Sequence, residues 1–553
     1  MNRIPVNQAD YYNTFPEYIE GIAKKFNDKP AVTYFNQNRE PVTHTYSQLA
    51  EEVFSLAEAL YARRFTGKHI AIVGENSYEW LLAYLACASC GAVAVCIDAE
   101  QSDGTIHQMI LQADCAAVFT SESYYPLCQT LVEQKNNALE LFVLTDTGHC
   151  KLMYLPALLE EGQRLRESQG KAAMDYPVSP EQTASIVYTS GTTSLSKPVM
   201  LGHKAILHNA ADAIREVEAG SKVYSSLPFY HSYGMTGAVL DTLVRGAEIY
   251  INGNLKTMMR DLHLSCAYSM ITVPLMIKTL ERQLWLTAEK EGKAKKLKSL
   301  LNICKTLKKM HLPYRNKVLD DIRKKMVGDI QVIICGGAYL EKELCETFEL
   351  FGVLILQGYG ITECSPMVST NGNRYNKKGS VGPVLNGYQL KIVGDEIYVK
   401  GTSLMNGYYK QEEETAKVFT KDGWFKTGDL GYLDKDDYLY ITGRQKNLIV
   451  FKNGKKVSPE KIEEQLEKIP LVKEVMVYGT ASGSSADDVV VSASIFPDPE
   501  VSGDMESFEI LQTLQKEVDI INSNLPIYQQ IQMINIREKE FDKTASKKIK
   551  RQL

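Results

Sequence analysis

The chain has 553 residues, 44% apolar and 23% charged, a length that holds several domains or one large domain with an appendage. That composition excludes a disordered chain and a fibrous repeat. With 62 Lys+Arg against 67 Asp+Glu the formal net charge is −5, so no global basic excess points to nucleic acid as a partner. The eleven cysteines show no metal spacing beyond Cys87-x-x-Cys90, and they read as buried, reduced thiols. The first twenty residues are polar and lack the apolar core of a signal peptide, so a reducing, cytoplasmic location is expected.

His69–Val73 reads as a strand. From Trp80 to Ile97 there are 18 uncharged residues, near the length of a membrane span. Ser89, Cys90 and Gly91 interrupt that run, and Ala92–Ile97 is short and partly β-branched. Strand, buried helix, strand is the expectation, a βαβ crossover at the start of an α/β domain. Ala184–Tyr188, Glu248–Ile251, Met270–Val273, Ile330–Cys335 and Val353–Leu356 are further apolar runs alternating with helical segments. They predict a mostly parallel sheet covered by helices, with sites in the loops after its strands.

Residues 289–325 hold thirteen Lys/Arg against four acidic residues, with Leu297, Leu300, Leu301, Cys304 and Leu307 at helical spacing. Two readings stand. One is a basic amphipathic helix in peripheral contact with an anionic membrane surface. The other is a surface helix with its stripe on the core and its lysines in solvent. After Gly379, short strands at Glu396–Val399 and Tyr438–Thr442 predict a small β-rich unit. Beyond Arg444 come a strand at Leu448–Phe451 and a turn at Asn453–Gly454. A helix then runs to about Lys468, with Ser458 as N-cap and Pro459 in its first turn. These predict a compact α+β appendage with a basic tail.

Three constellations carry chemistry. Thr189, Ser190, Gly191, Thr192, Thr193 and Lys197 form a polar loop after a strand. Such a loop can wrap N–H groups and hydroxyls around phosphates, although the Walker A order is absent and an ordinary polar turn fits equally. Gln357–Glu363 also follows a strand. Gly358 and Gly360 permit close backbone approach, Tyr359 offers a flat face for a base, and Glu363 is a hard oxygen ligand for Mg²⁺. Thr427-Gly428-Asp429 sets a carboxylate in a tight turn, where it can accept both hydroxyls of a ribose. Arg444 supplies a cation about fifteen residues later.

The order and spacing of these motifs, from about Thr43 to Arg551, resemble the adenylate-forming superfamily of acyl-CoA synthetases, luciferases and peptide-synthetase adenylation domains. The family's phosphate loop, Thr-Ser-Gly-Thr-Thr-Gly-x-Pro-Lys-Gly, matches Thr189–Pro198. The resemblance implies an α/β fold in two parts. Residues 1–445 would form a large domain of mostly parallel α/β subdomains plus a small β-rich unit. Residues 446–553 would form a small mobile α+β domain hinged at Lys446. The resemblance assigns the pyrophosphate to the loop with Lys197, and an adenine wall to Gly336, Gly337 and Ala338. Adenine and magnesium contacts fall on Gly358, Tyr359, Gly360, Thr362 and Glu363, with Thr362 and Glu363 among the catalytic residues. Asp429 and Arg444 take the ribose positions, and Lys548, in Thr544–Ile549, takes the place of the catalytic lysine.

The implied reaction uses ATP and Mg²⁺ to turn a carboxylate into acyl-AMP with release of pyrophosphate. A thiol, by default that of coenzyme A, then displaces AMP. Positioned cations suit the extra negative charge at phosphorus. The two halves would use two orientations of the small domain. In the second, Lys548 would swing out and the loop around Gly454 would face the thiol tunnel. The chain departs from the family loop at Ser194, Ser196 and Pro198, and Lys547 replaces a glycine. An active, slower enzyme is the expectation, with a nucleotide-binding pseudoenzyme as the alternative.

Amino-acid-activating relatives carry an aspartate that pairs with the substrate amine. Leu227–Gly234 has none, so a plain carboxylic acid is expected, with His231 at the family's acyl-site histidine. The segment between His231 and Gly336, with Asn453–Pro459 and the C-terminal ending, resembles long-chain fatty acyl-CoA synthetases. An aryl or medium-chain acid, an acyl carrier protein as acceptor, and a luciferase-like oxygenase are the alternatives.

Overall fold

The computed structural model describes residues 5–36, 38–134, 139–145, 153–189, 196–254, 256–451, 455–481, 489–543 and 549–551. The uncharged run after Trp80 folds as expected. Ser77 accepts the Trp80 N–H at 3.1 Å and starts the helix Tyr78–Ser89, in which every residue but Glu79 of the first turn is buried. It crosses between His69–Val73 and Val93–Cys96, which pair in parallel. Among the described residues no helix is long and apolar enough to cross a membrane.

The described residues fall in two compact units, one with residues up to 189, 196–389 and 400–419, the other with 390–399 and 420 onward. The first unit contains two eight-stranded sheets. One runs in the spatial order Met367–Thr370, Leu354–Gly360, Val332–Cys335, Ser269–Thr272, Lys222–Ser225, Glu248–Ile251, Pro30–Phe35 and Pro41–Thr45. Its interior pairs are parallel and its two edge strands antiparallel. The other runs Gly407–Tyr408, Pro198–Gly202, Thr183–Tyr188, Val93–Cys96, His69–Val73, Cys115–Thr120, Glu140–Val143 and Met153–Tyr154. Buried β-branched and apolar runs on parallel strands made this architecture readable.

Two expectations change. Val353–Leu356 does not end before the glycine motif: the strand continues to Gly360 and pairs antiparallel with Met367–Thr370. The basic segment is not one helix but parts of three, Pro274–Lys290, Ala294–Lys309 and Lys317–Val327. His311 at φ 56 and Pro313 break it, and Asn316 restarts it by accepting the Leu319 N–H at 3.2 Å. Leu297, Leu301 and Cys304 of its stripe are buried in the core, which favours the second of the two readings for that stripe.

Tyr388–Val393, Glu396–Gly401, Phe425–Leu433 and Leu439–Arg444 form a four-stranded sheet, all of it in the second unit except Tyr388, Gln389, Lys400 and Gly401. Val472–Ala481, Val489–Pro497 and Ile531–Ile536 form another, packed by Pro459–Leu466 and Ser507–Ser523 around Ile462, Leu466, Val477, Ala493 and Leu514. Ser458 precedes the first of these helices but does not cap it through its side chain. Its hydroxyl donates to Thr442 O at 3.0 Å and lies 2.6 Å from a Glu460 carboxylate oxygen. Asn453 and Gly454 lie outside the described residues. Ten cysteines are described, all free. Eight are buried, Cys115 is half-buried, and Cys266 is exposed, against the expectation for that one residue.

Candidate active site

The phosphate-loop candidate is the connection of a hairpin. Thr183–Tyr188 and Pro198–Gly202 pair antiparallel. Thr189 and Lys197 close the loop: the Thr189 N–H donates to Lys197 O, and the Lys197 N–H donates to Thr189 Oγ1, both at 3.0 Å. Pro198 pairs at the first position of the second strand, where proline is tolerated. Ser190, Gly191, Thr192, Thr193 and Ser194 lie outside the described residues.

The short strand Gly407–Tyr408 pairs with Pro198–Gly202, Tyr408 opposite Val199, which sets Tyr408 beside the lysine. Lys197 Nζ lies 4.7 Å from the centre of the Tyr408 ring and 2.7 Å from Glu414 Oε2. On its other side Glu414 meets Lys417 Nζ at 2.5 Å, and the two lysines hold its carboxyl down to about 2. The Tyr408 hydroxyl donates to Glu363 Oε1 at 2.8 Å. Burial, then the Glu363 charge, raise the Tyr408 phenol far above its ordinary range, so it stays a donor. The lysine of the loop and the carboxylate of the glycine motif are thus joined through one aromatic side chain. Tyr408 and Glu414 were missed in the sequence; the only signal was a Gly-Tyr pair after a turn.

Thr362 and Glu363 begin a 3₁₀ turn just past the strand Leu354–Gly360. The pairing with Met367–Thr370 by itself accounts for the small size of Gly358 and Gly360. A Cβ at Gly360 would lie 2.2 Å from Pro366 O, and one at Gly358 3.1 Å from Ser369 O. Tyr359 is half-buried between them, opposite Ser369.

Parallel register brings the next residues to the same edge of the sheet. Cys335 pairs with Gln357 and with Thr272, so Gly336 leaves the carboxyl end of its own strand level with Gly358, which is still inside the neighbouring strand; carboxyl ends are the usual place for a site in such sheets. Gly337 (φ +92) needs glycine, and Gly337 and Ala338 are exposed. His231, half-buried, immediately precedes the short helix Ser232–Gly234, which runs on through a π-helical stretch, Met235–Leu240. Two residues past the histidine, Tyr233 packs where a Cβ on Gly336 would lie 3.2 Å from its Cζ. A Cβ on Gly237 would lie 2.6 Å from Tyr233 Cδ2 and 3.3 Å from Met367 Sδ. The His231 helix, the Gly336 turn and the strand after Glu363 therefore close around one place. Tyr233 too was missed, since nothing in its spacing marks it.

In the second unit Asp429 is in a strand, not the expected tight turn. It pairs directly with Arg444 across Phe425–Leu433 and Leu439–Arg444, and Arg444 Nε donates to Asp429 Oδ1 at 2.6 Å. Gly428 (φ +69) and the Thr427 hydroxyl, which accepts the Asp429 N–H at 3.1 Å, shape the strand there. Lys446 is exposed in the 3₁₀ turn Gln445–Asn447. Lys547 and Lys548 lie outside the described residues, but both flanks are anchored. Lys543 pairs with Ile549 as an antiparallel bridge, and Arg551 binds Glu463 at 2.5 Å and Val477 O at 3.0 Å. Burial, opposed by Arg551, raises the Glu463 carboxyl to about 7.

Among the described residues no three His, Cys, Asp or Glu side chains cluster as a metal site. One carboxylate, Glu363, is what Mg²⁺ asks of a protein when substrate phosphates and water complete its shell, so the residues fit.

The fold is that of a mixed α/β protein with a separate small C-terminal domain. The chain belongs to the AMP-binding enzyme family, whose model matches residues 19–409, and the AMP-binding enzyme C-terminal domain matches residues 446–553. It is 24% identical to the long-chain-fatty-acid–[acyl-carrier-protein] ligase AEE15, chloroplastic, of Arabidopsis thaliana, over 92% of this chain and 81% of that protein. It is 27% identical to the long-chain-fatty-acid–CoA ligase FadD15 of Mycobacterium bovis, over 78% of this chain and 74% of that one. The crystal structure of the anthranilate CoA ligase AuaEII with anthranoyl-AMP covers 98% of this chain at 18% identity and a TM-score of 0.78, with 96% of that chain covered. The chain is an AMP-forming acid–thiol ligase of the adenylate-forming superfamily, which uses ATP and Mg²⁺, with coenzyme A the acceptor in its CoA ligases.

Proposed function

We propose that this enzyme activates a fatty acid and passes the acyl group to coenzyme A. The observation that carries the reading is the line from Lys197 through Tyr408 to Glu363, just past the end of the strand Leu354–Gly360. The acid's carboxylate oxygen attacks the α-phosphorus of ATP, the bond to pyrophosphate breaks, and acyl-AMP forms. Lys197 leaves Glu414 to hold the departing pyrophosphate with the loop from Thr189 to Thr193. Glu363, kept in orientation by Tyr408, would hold Mg²⁺, which when bound neutralises phosphate charge. Asp429 accepts the ribose hydroxyls and Arg444 orients Asp429, while Gly336, Gly337, Ala338 and Tyr359 border the adenine. Lys548 stabilises the charge at phosphorus. The thiol sulfur then attacks the acyl carbonyl carbon and AMP leaves, after the residues beyond Lys446 turn about it.

The fatty-acid assignment is supported by a neutral segment at Leu227–Gly234, by His231, and by buried Met235, Ala238 and Val239 on the helix that follows. The long-chain ligases among the relatives point the same way. The name of AEE15 favours a second reading, transfer to an acyl carrier protein. Free thiols throughout the described cysteines support a reducing, cytoplasmic location.

The test is acid-dependent ATP–pyrophosphate exchange across fatty acids of rising length and aryl acids, followed by AMP release with coenzyme A or a carrier protein. Exchange peaking with long-chain acids supports the reading, and exchange with aryl acids alone overturns the substrate. No exchange with any acid would leave a nucleotide-binding pseudoenzyme, and light emission or oxygen uptake a luciferase-like oxygenase. Lys548→Ala should lose exchange far more than thioester formation from supplied acyl-AMP; equal losses refute the role of that lysine.

A further inference from the structure

The core takes the apolar stripe of Ala294–Lys309, yet a second set of apolar side chains lies on the outside of the same region. Ile303 is 58% exposed, Met310 61%, Leu312 45% and Val318 55%. Ile303 and Met310 are seven residues apart, two helical turns, and so share a face of Ala294–Lys309 and the residue that follows it. Leu312 lies in the connection to the next helix, and Val318 in the first turn of Lys317–Val327. Three of the four therefore gather at one turn. Lys295, Lys296 and Lys298 are exposed along the first helix, with Lys309 and Lys317 beside the turn. Of the nearby acids, Asp320 is engaged with Arg315 at 2.7 Å and Glu349 with Lys308 at 2.5 Å, while Asp321 is exposed.

We infer that this turn and the outer face of Ala294–Lys309 dock on an anionic lipid bilayer. The apolar tips enter the boundary between headgroups and acyl chains, and the lysines meet the lipid phosphates. Ile303, Met310 and Val318, each more than half exposed, protrude rather than line a groove. A fluid layer accommodates such tips, whereas a folded partner would need a matching pocket. The surplus of thirteen basic over four acidic residues in 289–325 supplies the charge complement. The surface is independent of which acid is activated.

The test is co-sedimentation of the full chain with phosphatidylcholine vesicles, with and without phosphatidylglycerol. Binding is expected only to the anionic vesicles, falling as salt rises. Lys295→Gln, Lys296→Gln and Lys298→Gln should each weaken it about fivefold. Met310→Ser with Leu312→Ser should weaken it by an order of magnitude while melting like the parent. No sedimentation with anionic vesicles, or variants that sediment like the parent, overturns the inference. So does retention of an acidic carrier protein by this face, lost in the lysine variants, in a chain that ignores vesicles.

Discussion

Tyr408→Phe tests the link between the two halves of the nucleotide site. The substitution keeps the ring 4.7 Å from Lys197 Nζ and removes only the hydroxyl 2.8 Å from Glu363 Oε1. A hydrogen bond to a charged acceptor contributes about 1.5–3 kcal/mol. If Glu363 needs that bond to face the phosphates, kcat/KM for adenylation falls about 10- to 150-fold, at 1.36 kcal/mol per decade. Stability should change by less than about 1 kcal/mol, because Glu363 is half-exposed and water can replace the donor. The assay is acid-dependent ATP–pyrophosphate exchange over a range of Mg²⁺, with thermal melting as the control. The loss should shrink as Mg²⁺ rises, since the ion then competes for a carboxylate that is no longer pre-oriented. Exchange at the parent rate and with the parent's Mg²⁺ dependence would refute a positioning role for Tyr408.

Glu414→Gln frees Lys197 from its resting partner, so the KM for ATP should fall a few-fold with kcat little changed. An unchanged KM would mean the pair does not compete with phosphates. Asp429→Asn keeps the shape but not the charge facing Arg444, and the KM for ATP should rise about tenfold or more; a KM like the parent's removes Asp429 from the ribose. Gly337→Ala meets only Val273 Cγ1 at 3.6 Å, so its cost is backbone strain at φ +92, about 1–2 kcal/mol in urea unfolding. Melting like the parent would show that the turn can shift. Burial holds the His203 imidazole down to about 3, with its Nδ1 accepting the Phe15 N–H at 3.3 Å. Below an unfolded value of about 6.5 the unfolded chain takes up a proton that the native ring refuses. Stability therefore falls as pH drops from there towards 3, by at most about 1.4 kcal/mol per pH unit. His203→Asn should flatten that slope between pH 5 and 7, and an identical slope would refute the assignment.

Local sequence determined more of this protein than its two-part complexity suggests. Glu248–Ile251 is a strand with the expected bounds, and Thr183–Tyr188 differs from expectation by one residue, because buried parallel strands are short apolar runs between turns. The order of the loop at Thr189, the motif at Gly358 and the pair Asp429 and Arg444 was also enough to carry the family resemblance that implies the reaction class, since the first two motifs are contiguous and the pair is only fifteen positions apart. Register was not legible. Lys197 meets Glu414 across 217 positions, and Tyr408 reaches Glu363 across 45, through strand pairings that no local pattern encodes. Gly360 owes its small size to Pro366 O, and Asp429 its place opposite Arg444 to two antiparallel strands. The helices after Pro274 make the same point. Spacing identified a stripe at Leu297, Leu301 and Cys304, but only packing decided that this stripe is spent on the core and that Ile303, Met310, Leu312 and Val318 remain outside. Periodicity counts apolar residues along one chain; which face is covered depends on neighbours that arrive from elsewhere in it.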